Sequence, residues 1–450
     1  MKYSVLLIML MATLISGTVM ATNGHQMIGV GAIQKMMGGA VTANPEDATT
    51  AISNPAGMAN VGDRTDFHFE AFMPKRQLSF ANGGSCQGGS EMYLVPALGW
   101  TAPINDSGSI YFGGGMYGVS GMGVDFDSVN AGPMYGMGMD MAPKANIYSN
   151  YQFWKMAPTL AFKVNEALSL GVSLNLDYQA LAFEQVFTGA DLSPTLSGMF
   201  QNYNIQHFGF DLSEGQGALG FGLTLGGLYK VSDMFTLGLT YTSEQMFQDF
   251  EYRLKEGDVL TMDAMGNMLY NLDGTYKMEM NFPQQLAFGI AVNLHEKLTV
   301  TADIKWINFE SVFDEIDLRG SFVGANSQTF EPAAANKVVL PFGWEDTIVY
   351  AMGIKFAPKE NLTIRAGFNH SNSPIDEKDV ANNLSFPAMV ENHITFGGTY
   401  TFENGWEGSI FFMKAFENEL TGKGDLMGMD SGTTISLEET SLGGTISYHF

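Results

Sequence analysis

At 450 residues the chain has the length of two or three soluble domains, but nothing in it looks like a linker, so one large domain is the simpler reading. A formal net charge of −25 argues against nucleic acid or an anionic lipid surface as partner and reads as solvated acidic loops at a cell surface. Hydrophobic residues make up 45% of the sequence, yet no apolar run beyond the amino terminus is long enough for a membrane helix.

The chain opens on Met1, Lys2, an apolar run from Val5 to Val19 and a small-residue site at Val19-Met20-Ala21. This is the layout of a secretory signal peptide over residues 1–21, with Thr22 as the expected mature start. The only cysteine, Cys86, lies far from that run in a Gly-rich loop, which argues against a lipoprotein.

Residues 22–63 have a different texture, rich in Gly, Ala, Met and Asn and without strand alternation. A segment this short rarely buries enough core to fold alone, so it reads as a hatch folded inside something larger.

From 64 to 450 the pattern is a strand rhythm. Apolar and polar residues alternate over 64–73, 91–102, 108–118, 148–164, 168–183, 216–231, 235–252, 276–294, 298–313, 345–358, 362–372, 391–402, 406–416 and 438–450. In one segment Leu170, Val172, Leu174, Leu176 and Tyr178 alternate with Ser173, Asn175, Asp177 and Gln179. At the carboxy terminus Leu442, Ile446, Tyr448 and Phe450 alternate with Thr445, Ser447 and His449. A soluble β-sandwich alternates too, but these apolar rows are long, and Tyr, Phe and Trp gather at their ends as an interfacial girdle would. The fold expected is an all-β, fourteen-stranded antiparallel transmembrane β-barrel over 64–450, with the small hatch in its lumen.

Short and long connections alternate. The short ones, such as Pro103 to Ser107, Ser232 to Met234 and Glu403 to Gly405, are rich in turn formers and should face the periplasm. The long ones, roughly 74–90, 119–147, 184–215, 253–275, 314–344, 373–390 and 417–437, should face outward. An exported barrel without a helical anchor belongs in the outer membrane of a Gram-negative bacterium.

Several residues interrupt the rhythm. Gly113-Gly114-Gly115 falls in the third strand, where consecutive glycines permit a kink or simply make room for the hatch. The 184–215 connection should be polar but carries Phe187, Leu192, Leu196, Met199, Phe200, Tyr203 and Phe208, with a helix expected from about Ser193 to Tyr203. Such a cluster reads as a capture groove for an apolar ligand, each buried CH₂ being worth about 0.8 kcal/mol, or as a self-packed cap. Parity turns Asp303, Lys305, Lys355 and Arg365 into the lumen, where Arg365 could hold a carboxylate or pair with a lumen partner.

His370-Ser371 superficially offers hydrolase chemistry, but neighbouring strand residues point to opposite faces. The Met-rich run at 133–141 reads as adaptable apolar contact rather than a Cu(I) site.

Gly38-Gly39-Ala40, Asn44 to Thr50, and Ser53-Asn54-Pro55-Ala56-Gly57-Met58-Ala59 resemble the amino-terminal hatch of the outer-membrane long-chain fatty acid and aromatic hydrocarbon transporter family. Trp344-Glu345-Asp346-Thr347, Leu362 to Phe368, Ser373-Pro374-Ile375 and Phe386-Pro387 resemble its late strands and their loop. Where the family has an Arg leading into the twelfth strand, this chain has Glu391-Asn392-His393, so the charge contact expected there is not implied.

The resemblance implies passive transport of long-chain fatty acids or related hydrocarbons. They would be captured in a groove built by the 184–215 and 253–275 loops, gated by the hatch, and released sideways at the third strand. It marks Asn54, Pro55 and Ala56 as the hatch signature. It also implies a monomer without enzymatic activity, cofactor or metal, in contact with hydrophobic small molecules, outer-membrane lipid and lipopolysaccharide. A general diffusion porin or an outer-membrane lipid hydrolase would suit the strand rhythm alone.

Overall fold

The structure, a computed structural model, describes residues 22–89, 92–132, 143–189, 207–423 and 432–450. Fourteen antiparallel strands form one wall. They are β1 (Arg64–Ser79), β2 (Tyr93–Pro103), β3 (Ile110–Asn130), β4 (Lys144–Met156, resumed at Thr159–Lys163), β5 (Leu168–Thr188), β6 (His207–Lys230) and β7 (Phe235–Thr242). They continue as β8 (Gln285–His295), β9 (Leu298–Ile307), β10 (Thr347–Lys359), β11 (Leu362–Ser371), β12 (Asn392–Thr401), β13 (Trp406–Thr421) and β14 (Thr434–His449). Each pairs with its sequence neighbours, and β14 returns to β1 in an unbroken ladder from Thr434↔Ser79 to His449↔Arg64. Closure leaves the wall without a free edge, which a hydrocarbon solvent requires because nothing there can hydrogen-bond an open strand.

The faces are inverted relative to a soluble barrel. On β5, Leu170, Leu174, Leu176 and Tyr178 are exposed while Ser173, Asn175, Asp177 and Gln179 are buried. On β10 the exposed row is Ile348, Tyr350, Met352, Ile354 and Phe356. Apolar outside and polar inside is the arrangement that lipid selects. Near the short turns the wall carries ring pairs, Trp100 with Phe112, Tyr400 with Phe402 and Trp406 with Tyr448, at centroid distances of 5.6, 4.9 and 4.9 Å. The turns form as their residues dictate: Asn105 accepts from the Ser109 and Ile110 amides, and Gly108 takes a φ of 60°.

Several strands differ from the sequence expectation at their outer ends. β3 runs on to Asn130, β5 to Thr188, and β6 begins at His207 rather than near 216. Phe187, Phe208 and Phe210 therefore lie on strands and not in a loop, with Phe187 paired to Phe208. Above the lipid both faces of this extension are packed, so the period-two signal that marks a half-exposed strand fades. The expected strand at 276–294 is split, since Gly274–Met278 pairs with Phe250–Leu254 in the outer part and only Gln285–His295 joins the wall. The expected strand at 298–313 stops at Ile307 and turns into the short helix Glu310–Phe313.

Residues 22–63 fill the lumen with a small hairpin (Thr22–Asn23, Gln26–Met27), α1 (Ala32–Met36), α2 (Thr50–Ser53), a 3₁₀ turn (Pro55–Gly57) and α3 (Met58–Val61). Most of this segment is buried. Two further hairpins, Val259–Met262 with Asn267–Asn271 and Glu315–Asn326 with Pro332–Pro341, cover the outer end together with the 373–390 connection.

Candidate functional site

The hatch is fastened to the wall by charge. Glu46 pairs with Lys355 at 2.9 Å and with Arg365, whose other terminal nitrogen donates to Thr399 Oγ1 at 2.9 Å. Lys35 of α1 reaches Glu70 of β1 at 3.1 Å with both side chains fully buried, and Ser441 donates to the same carboxylate at 2.6 Å. Asp66 accepts from the Ala48 amide at 2.7 Å, and Asp303 accepts from the Thr42 amide at 2.8 Å. Arg365 and Asp303 point inward as parity requires, and both spend their charge on the hatch. Lys305 lines a cavity of about 100 Å³ bounded by Ile28, Gln34, Thr42 and Lys155.

The Asn54-Pro55-Ala56 signature has a definite local job. Asn54 Oδ1 accepts from the Ala56 amide at 3.2 Å, capping the 3₁₀ turn that Pro55 begins with its fixed φ. Its Nδ2 donates to the carbonyls of Thr42 at 2.7 Å and of Gly227 on β6 at 3.2 Å. Glycines make room for this approach: a Cβ on Gly226 would stand 2.1 Å from Asn54 Oδ1.

The Gly113-Gly114-Gly115 triplet faces an interruption in β4. Gly113 pairs with Thr159 and Met116 with Met156, so Gly114 and Gly115 lie opposite Ala157 and Pro158, where the regular ladder lapses. Gly114 has a φ of 139°, and a Cβ there would meet the Ala157 carbonyl at 2.3 Å. Pro158 brings no N–H to the gap. On the lumen side α3 packs against it, with Met58 and Ala59 beside Ala157, Ala161 and Tyr117.

The outer end holds two largely apolar cavities. A cavity of about 120 Å³ lies between the β5–β6 extension (Phe183, Phe187, Phe208, Phe210), the 259–271 hairpin (Met262) and Leu340, Phe342 and Phe386. Phe183, Phe342 and Phe386 also line a narrower space below it, completed by Met122, Tyr151, Met278, Phe313 and Trp344 and bearing no charged side chain. Trp344 is nearly fully buried, and its indole N–H donates to Asn383 Oδ1 at 2.7 Å. Of the groove residues expected from sequence, Phe187 and Phe208 line this cavity, while Leu192, Leu196, Met199, Phe200 and Tyr203 lie outside the described residues, as does the Met-rich run at 133–141.

Sequence reasoning missed the ring set of Phe183, Phe342, Phe386, Phe313 and Trp344. Phe313 read as the end of a strand, and Phe386 and Trp344 stood out only in the resemblance.

His370 and Ser371 lie on the regular ladder of β11 and so on opposite faces; Ser371 donates to Asn23 and His370 bonds Asn392. Where a family Arg was missing, His393 is fully buried, its Nε2 4.0 Å from Glu439. Among the described residues, no three His, Cys, Asp or Glu side chains come together to hold a metal ion.

A closed transmembrane barrel with a bonded lumen plug and apolar cavities at its outer end defines a plugged outer-membrane barrel. Residues 9–407 match the family described as outer membrane protein transport protein (OMPP1/FadL/TodX), and the chain belongs to it. It is thus an outer-membrane β-barrel protein of a family that transports hydrophobic compounds.

The fold is similar to the Pseudomonas putida toluene transporter TodX, with a TM-score of 0.70, 20% identity, and 94% of this chain and 99% of that one covered. A Pseudomonas aeruginosa FadL homologue is similar with a TM-score of 0.70 and 15% identity over 95% and 100%. The Ralstonia pickettii toluene transporter TbuX gives 0.63 and 16% over 94% and 98%. No curated protein matches the chain.

Proposed function

We propose that this protein lets hydrophobic molecules, long-chain fatty acids or related hydrocarbons, diffuse passively through the outer membrane by capture, passage beside the hatch and lateral exit. The observation that carries this reading is the sharing of Phe183, Phe342 and Phe386 between the outer cavity and the inner one. A permeant leaving water gains about 0.8 kcal/mol per buried CH₂. It then needs only a rotation of these rings to move inward without meeting water again.

Two features support the remaining steps. The hatch blocks a straight path to the periplasm and is held by buried ion pairs, which argues against an open porin. At Gly114 and Pro158 the regular β3–β4 ladder lapses, and a molecule released there would enter the bilayer directly.

In this reading residues 1–21 are removed on export, and a single copy suffices because one chain closes its own barrel. Filling the doorway tests the route. Phe386→Trp should slow uptake of labelled toluene or oleate by expressing cells several-fold with the barrel still folded. Unchanged uptake would remove the doorway from the path.

A further inference from the structure

His25 stands at the tip of the hatch hairpin, and its backbone is fixed to the wall. Its carbonyl accepts from Ser120 Oγ at 2.6 Å and from the Gly121 amide at 3.4 Å, while Gln26 pairs with Ser120 on β3. The side chain is fully buried among five rings. Tyr151, Phe282, Phe309, Phe313 and Trp344 have centroids 5.7, 5.1, 5.3, 4.9 and 5.5 Å from the imidazole. Among the described residues neither Nδ1 nor Nε2 has a hydrogen-bond partner.

The position gives this orphaned ring a meaning. Tyr151, Phe313 and Trp344 line the apolar cavity above it, while Phe282 lines the polar hatch cavity that also holds Lys305. The imidazole therefore packs on rings that line an apolar cavity on one side and a polar one on the other. A buried donor or acceptor left without a partner carries its desolvation penalty, so a ligand that supplies the missing bond recovers that cost.

We propose that His25 is the recognition group for a neutral permeant carrying one hydroxyl group, a phenol or an alkanol, which hydrogen-bonds the imidazole as its apolar body fills the cavity above. The proposal rests on the transport reading and names the substrate class for it. A neutral imidazole, the form a dry ring-lined site favours, offers one donor and one acceptor nitrogen, and a hydroxyl can serve either. An ionised carboxylate would have to leave water and cross the apolar cavity, whose lining has no charged side chain to compensate it. A pure hydrocarbon would leave the imidazole unpaired.

The test is equilibrium binding of 4-ethylphenol, its near-isostere 4-ethyltoluene and 4-ethylbenzoate to the purified protein. His25→Phe should weaken 4-ethylphenol about tenfold, the factor set by 1.4 kcal/mol, with 4-ethyltoluene changed less than twofold. His25→Gln, which keeps a donor and an acceptor, should retain the phenol preference. Should His25→Phe not fold, the wild-type protein still decides, because the His25 imidazole nitrogen resonances should move on adding 4-ethylphenol and stay still with 4-ethyltoluene.

Equal losses for phenol and toluene, tighter binding of the benzoate than of the phenol, or nitrogen resonances indifferent to the hydroxyl would each overturn the proposal. If the toluene analogue binds and only the hydroxyl preference is missing, the transport reading stands without it. If none of the three binds, both fall.

Discussion

Replacing Glu46 by Gln should unfasten the hatch. Among the described residues Glu46 is the carboxylate that pairs with both Lys355 and Arg365, and the Arg365 side chain is only 4% exposed. Removing one partner of a buried pair leaves an uncompensated charge, at a cost of about 3–5 kcal/mol. The docked hatch should therefore open about two to three and a half orders of magnitude more often than in the wild type. Hydrogen exchange should show this as faster exchange of the amides between 38 and 54, with the wall amides unchanged. In planar bilayers the variant should pass flickering ion current where the wild type passes little. A double replacement, Glu46→Met with Arg365→Met, removes the buried pair, leaves only the partly exposed Lys355 to solvent, and should restore much of the protection. If Glu46→Gln exchanges and conducts like the wild type, the ion pairs do not hold the hatch and the gating argument fails.

Asn54→Ala should lower the thermal midpoint in detergent, because the Ala56 amide and the Thr42 and Gly227 carbonyls lose their side-chain partner, at about 1–3 kcal/mol for a group left unsatisfied. An unchanged midpoint would mean that water takes over those bonds. Ala157→Phe, which sets a ring into the seam opposite the glycine triplet, should cut uptake at least tenfold while ligand binding at the outer cavity persists; equal loss of both would point to misfolding instead.

In the 373–390 connection, burial pushes the Asp379 carboxyl up to about 6, with Asp376, Asp314 and Glu345 adding to it against Lys378. A raised carboxyl means that the docked connection binds the proton more tightly than the undocked one, so docking weakens as pH rises from about 4 through 6. Amide protection there should be greater at pH 5 than at pH 7, and Asp379→Asn should abolish the difference.

What the sequence reveals follows from where lipid sets the rules. Rows such as Leu170 to Tyr178 need one apolar and one polar face, so their strands and turns can be read directly. The plug is legible for the opposite reason, as a stretch too short to fold alone and without alternation. Parity turns Arg365 and Asp303 inward, but the partners they find, Glu46 and the Thr42 amide, lie hundreds of residues away and leave no local trace. Phe187 and Phe208 stand out in the sequence as apolar residues in a connection, yet their pairing on extended strands leaves no period-two signal because both faces there are packed. His25 has no signal at all: it is a lone histidine in a glycine-rich segment, and only the rings that the fold gathers around it make it conspicuous.

The most direct measurement is uptake of labelled oleate and toluene by cells with and without the protein. Passive transport of hydrophobic compounds predicts faster entry of at least one of them in expressing cells, independent of an energy source and abolished when the seam is filled by Ala157→Phe. Equal uptake of both compounds in the two strains would contradict it.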